Sequence, residues 1–133
     1  RREVKSPLAM DLISYIKLRG PITLHDYMAQ CANHLIHGYY QSRGELIGPE
    51  GDFVTAPEVS QLFGEMVGIW CLSMWRQMGS PRSLNLVELG PGKGTLMADV
   101  LRVAGRFPDF NGAVRVHLVE LSAELRKRQR TLL

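Results

Sequence analysis

The part of this chain with the clearest chemical content is Glu88-Leu89-Gly90-Pro91-Gly92-Lys93-Gly94-Thr95, followed 26 residues beyond Gly94 by a second acid, Glu120. An acid followed by alternating glycines suits a ligand held close to the backbone, because glycine has no Cβ and reaches positive φ without a clash. Two common phosphate loops can be tested against this spacing. A P-loop needs Gly-Lys followed at once by Ser or Thr, with a further glycine five positions before the second one. Here Lys93 is followed by Gly94 and the upstream position is Val87, so a P-loop is excluded. The dinucleotide fingerprint G-x-G-x-x-G/A, started from Gly90 and Gly92, requires Gly or Ala where Thr95 stands, a poor fit.

The acid itself separates the remaining ligands. A carboxylate at Glu88 facing the loop repels pyrophosphate. S-adenosyl-L-methionine carries no phosphate but has an ammonium and a sulfonium. The N-terminus of a helix starting after Gly94 would offer free N–H groups and a positive dipole end to that ligand's carboxylate. Glu120, ending the next strand, stands where open α/β folds place an acid that accepts hydrogen bonds from ribose hydroxyls. A nicotinamide or flavin oxidoreductase is the runner-up, disfavoured by Thr95 and Glu88. His25, His34, His37 and His117 show no metal-ligand grouping, so no metal site is expected. Cys31 and Cys71 sit in apolar helical patterns and read as reduced, core-filling residues.

The elements that must position this loop follow from periodicity and punctuation. Leu84–Leu89 reads as a short buried strand, Leu96–Ala104 as a helix closed by Gly105, and Val114–Glu120 as a second strand. Phe107–Gly112 reads as a turn-rich connection, and the whole as one right-handed βαβ unit. Upstream, Ser6-Pro7 announces a helix that Gly20-Pro21 stops. A second helix runs from Thr23 to Gly38, with Asp26 in its first turn. Residues 39–56 form a glycine-rich loop. Thr55-Ala56-Pro57-Glu58 reads as a capping box opening a long helix that ends at Gly79. Its expected buried face is Val59, Leu62, Phe63, Met66, Val67, Trp70 and Met74, and Gly64 and Gly68 would let another backbone approach.

Glu88-Leu89-Gly90-Pro91-Gly92-Lys93-Gly94-Thr95 resembles the first motif of class I S-adenosylmethionine-dependent methyltransferases. More specifically, Gly51–Glu65 (Gly-Asp-Phe-Val-Thr-Ala-Pro-Glu-Val-Ser-Gln-Leu-Phe-Gly-Glu), with Gly20-Pro21-Ile22 and Gly38-Tyr39-Tyr40, resembles the MidA family, whose animal members are mitochondrial complex I assembly factors. The resemblance runs from Leu18 to Arg128. It implies a protein-arginine N-methyltransferase of the mitochondrial matrix that makes symmetric dimethylarginine on an iron–sulfur core subunit of the peripheral arm of complex I. It also makes Asp52, Thr55 and Glu58 candidates for lining the cofactor or the arginine entrance, beside the cofactor-binding set Glu88, Gly90, Pro91, Gly92, Gly94 and Glu120. The fold class expected is α/β. Residues 1–82 form an N-terminal helical region, and 83–133 begin a Rossmann-like class I methyltransferase domain whose remaining strands are missing. The catalytic residues are expected beyond the C-terminus, and the chain alone is expected to be inactive. A non-catalytic interaction form, docking through the N-terminal helices and the Gly64/Gly68 face, is the alternative.

Composition limits other partners. The formal net charge of the 133 residues is +3. Residues 1–50 contribute +1, 51–123 contribute −1, and 124–133 contribute +3 through Arg126, Lys127, Arg128 and Arg130 against Glu124. A nearly neutral body lacks the clustered cations of a nucleic-acid face. The longest apolar stretch, Met66–Trp75, is half the roughly 20 residues of a membrane span.

Overall fold

A computed structural model describes residues 6–42 and 54–133. The contacts divide the chain into two compact units, Arg1–Gly44 and Glu45–Leu133. The sequence places a boundary at 82/83. The difference is the long helix before the first strand, which packs within the second unit.

In the first unit, α1 (Pro7–Arg19) starts as its sequence requires, with Ser6 Oγ accepting from the Ala9 N–H at 3.2 Å. It stops at Gly20, at φ 89°, a conformation open to glycine without strain. Thr23 caps α2 (Leu24–Asn33) by accepting from the Asp26 N–H. This helix ends five residues before the expected Gly38. The reason is local: His34 turns extended, and its Nδ1 accepts the His37 N–H at 3.1 Å, replacing a helical carbonyl. Tyr39–Ser42, expected as the start of the loop, form a short helix, α3. Neither α1 nor α2 has a fully buried residue.

The second unit begins its described part at Val54. The single helix expected from Thr55 is two: α4 (Ala56–Val59) and α5 (Gln61–Gln77). Between them Ser60 is extended, and its hydroxyl caps α5 by accepting from the Leu62 N–H. The buried face of α5 also differs from the expected one. Gly64, Gly68, Cys71, Leu72 and Trp75 are buried, while Val59, Leu62, Phe63, Met66 and Trp70 are exposed. The helix is apolar nearly all round, so periodicity could not choose a face. Small residues chose it. The neighbouring helix α6 (Thr95–Ala104) lies so close that a Cβ at Gly64 would overlap Asp99, and one at Gly68 would come within 2.9 Å of Val103. The close approach expected at these two glycines is therefore present. It is made with α6, which takes away the partner-docking role suggested for that face.

Strands β1 (Leu84–Leu89) and β2 (Val114–Val119) pair in parallel, Leu84 opposite Val114 through Leu89 opposite Val119. The crossover is α6 followed by α7 (Pro108–Ala113), a short helix where a turn-rich connection was expected. Cys71, Leu72, Trp75, Ala104, Phe110, Ala113 and Val114 form the core. Trp75 and Phe110 rings lie 5.4 Å apart, and Trp75 Nε1 donates to the Pro81 carbonyl at 2.9 Å. After β2 the chain enters α8 (Ala123–Leu132), capped as expected by Ser122, which accepts from the Leu125 N–H. No helix among the described residues is long and apolar enough to cross a membrane.

Candidate functional site

The alternation of β1 puts Leu84, Leu86 and Glu88 on its half-buried side. An acid thus occupies a position where the pleat would favour an apolar residue. Its Oε2 is buried without a hydrogen-bond partner, and burial lifts the Glu88 carboxyl above the usual carboxylate range. At the end of the strand the Gly90 N–H still reaches across to the Val119 carbonyl at 2.8 Å, and the chain then turns sharply. Gly90, Gly92 and Gly94 all have positive φ, at 66°, 56° and 90°. These three values explain the alternating glycines, since other residues would be strained at each. The Gly94 N–H donates to the Pro91 carbonyl at 2.8 Å, closing the turn, and Gly94 becomes the N-cap of α6. With no side chain at the cap, Gly94 supplies no capping oxygen to the first N–H groups of α6.

Beside this turn lies a cleft of about 170 Å³, lined by Glu88, Gly90, Pro91 and Gly92 from the strand and turn, and by Thr55 and Glu58 from the start of α4. The capping box expected at Thr55 and Glu58 is not formed, because the Thr55 side chain makes no capping bond. Glu58 is used instead across the fold: one carboxylate oxygen accepts from Thr95 Oγ1, and the other lies 3.7 Å from Lys93 Nζ. Thr55 and Glu58 therefore sit in the same cleft as the glycine turn, which their separation in sequence does not reveal. Asp52 lies outside the described residues. Glu120 follows Val119 at the carboxyl end of β2, and its Oε1 accepts the Ser122 N–H at 2.8 Å. It marks the same end of the sheet as Gly90, on the neighbouring strand.

Three further residues belong to the site. Lys93 and Thr95 stand inside the motif, and the spacing gave no reason to single out their side chains. Gln129 is the third: it is 3% exposed and its Nε2 donates to the Gly92 carbonyl at 2.6 Å. The available signal was a polar residue four positions after Leu125, on one face of the helix. Among the described residues no group of three or more His, Cys, Asp or Glu could hold a metal ion.

The donor set suits an organic cation better than a phosphate. Two carboxylates border the cleft, one of them with a buried oxygen lacking a partner, and Lys93 stands beside Glu58. A strand–glycine turn–helix–strand with acids near both strand ends is a Rossmann-like arrangement, in which ligands bind at the carboxyl ends of the strands. Residues 66–133 match the family described as "Putative S-adenosyl-L-methionine-dependent methyltransferase", and the chain belongs to that family. This sets aside the nicotinamide alternative. Among similar proteins, mitochondrial protein arginine methyltransferase NDUFAF7 of Xenopus tropicalis is 49% identical over 116 residues, 86% of this chain and 27% of the relative. The protein of the same name from Homo sapiens is 44% identical over 90% of this chain and 27% of its own length. The Drosophila melanogaster homologue is 48% identical over 92% and 28%. The chain thus spans little more than a quarter of these relatives. A crystal structure of an inferred methyl transferase from Burkholderia thailandensis, bound to S-adenosyl-homocysteine, matches 98% of this chain and 36% of that one. The TM-score is 0.79 at 29% identity.

Proposed function

We propose that the cleft beside Gly90–Gly94 holds S-adenosyl-L-methionine, with Glu88 receiving its ammonium and the open N-terminus of α6 its carboxylate. The observation that carries this reading is the buried, partnerless Oε2 of Glu88 at the cleft. A cationic ligand supplies the missing partner, and a phosphate does not. Gly90, Pro91, Gly92 and Gly94 let the ligand approach the backbone, and Glu120 receives the ribose hydroxyls. Thr55 and Glu58 close the cleft from α4. The ligand supplies an electrophilic methyl group on sulfonium; the residues named here bind and orient it. The likeness to a structure bound to S-adenosyl-homocysteine supports this assignment.

The reaction proposed for the full-length enzyme is N-methylation of a protein arginine to symmetric dimethylarginine. Its proposed substrate is an iron–sulfur core subunit of the peripheral arm of complex I, in the mitochondrial matrix. The names of the similar proteins support the arginine and the mitochondrial parts of this proposal. Because the chain spans about 27% of those relatives, it is proposed to carry the front of the cofactor site and to turn over no substrate alone. Titration of the chain with S-adenosylmethionine in a calorimeter, beside the Gly92→Leu variant, tests the site. Binding by the first and a loss of at least about tenfold in the second is expected, since a side chain at φ 56° is strained. Equal affinity would sink the assignment.

A further inference from the structure

We infer that Gln129 is a positioning residue that sets the glycine turn from outside it; the inference rests on the cofactor reading above. The N–H groups of Gly90 and Gly94 are held by backbone carbonyls, those of Val119 and Pro91. The middle of the turn, the Gly92 carbonyl, is held by a side chain from α8. Gln129 is buried in a helix otherwise decorated with Arg126, Lys127, Arg128 and Arg130. Burying an amide is costly unless its donors are satisfied, so this placement stands only with the 2.6 Å bond to Gly92. The fit is close on the other side as well. A Cβ at Gly94 would lie 3.3 Å from Gln129 Cγ, so glycine there serves the approach of α8 as well as a φ of 90°. The same helix is anchored at its start beside Glu120, whose carboxylate accepts the Ser122 N–H. One helix therefore ties together the ends of both strands that carry the proposed cofactor contacts. Losing the bond leaves a buried carbonyl without a partner and the middle of the turn less firmly held.

The test compares the chain with Gln129→Leu, which keeps the volume without the donor, and Gln129→Glu, which replaces the donor by an acceptor. S-adenosylmethionine affinity should fall about tenfold in Gln129→Leu at every pH. In Gln129→Glu it should fall at neutral pH and recover on acidification, relative to the unchanged chain at the same pH, as a protonated carboxyl donates to Gly92. Amide exchange without ligand gives a second readout: Gly90–Thr95 should exchange faster in Gln129→Leu while Leu84–Leu89 stay protected. Faster exchange with no cofactor binding by the unchanged chain would sink the cofactor reading and keep the contact. Unchanged exchange and affinity in Gln129→Leu, or no recovery in Gln129→Glu, would overturn the inference. Should Gln129→Leu fail to fold, the pH comparison in Gln129→Glu decides.

Discussion

Glu88 is the residue whose chemistry is most exposed to measurement. Its carboxyl is raised by burial, so in the folded chain it holds a proton more readily than in the unfolded one. The contribution of Glu88 to stability is therefore greatest below the usual carboxylate range and is lost as pH rises through the raised folded value. Glu88→Gln should stabilise the ligand-free chain at pH 7 and have no such effect below the usual carboxylate range, seen in urea titrations at both pH values. Binding a cation at Glu88 reverses the preference, so S-adenosylmethionine affinity should weaken as pH falls through the raised value, and Glu88→Gln should bind weakly with no such slope. The cysteines give an independent check. Cys71 is buried in the core and burial pushes its thiol up, whereas Cys31 is only partly covered. In the native chain a thiol reagent should label Cys31 well before Cys71, and equal rates would place the core elsewhere.

At the scale of elements, the site depends on α5 and α6 lying close together, and small residues make that possible. Gly64→Ala would drive a methyl into Asp99 and should destabilise the chain by about 1–3 kcal/mol in denaturant unfolding. Asp99→Ala should relieve only part of that loss, because it removes the carboxylate but keeps the Cβ 2.4 Å away, whereas Asp99→Gly should relieve more, so the changes at 64 and 99 should couple in a double-mutant cycle. Additive effects would contradict the packing described. β1 was legible to the residue, since a short apolar run ending in glycine has few alternatives. The caps Ser6, Thr23 and Ser122 were legible because each is a local bond between neighbours. The buried face of α5 was not, because an apolar helix hides its orientation until a partner selects it. Nor was the break at Ser60 visible, since Glu58 left the expected box for Thr95 and Lys93, 37 and 35 positions away.

Across the whole molecule, the two units account for different features. The second contains the proposed cofactor cleft and the parallel strand pair. One face of that pair is open: Val87 is 55% exposed, Leu89 75% and Val119 53%. Exposed apolar strand surface favours association. The chain should therefore scatter light increasingly with concentration, and a Val87→Thr, Val119→Thr double variant should scatter less. A concentration-independent monomer would contradict this. The excess of positive charge is partly used within the fold, since Arg126 donates to the carbonyls of Glu120 and Leu121, and Arg128 pairs with Glu124 at 3.6 Å. Sequence alone determined the βαβ order, the positive-φ turn that three glycines announce, and the acid, Glu88, beside that turn. These rest on backbone sterics and charge, which act within a few residues. Only the tertiary structure decided that Glu58 and Gln129 meet the turn. Each lies about 37 residues from its partner in sequence, and such contacts are selected by packing rather than by local pattern.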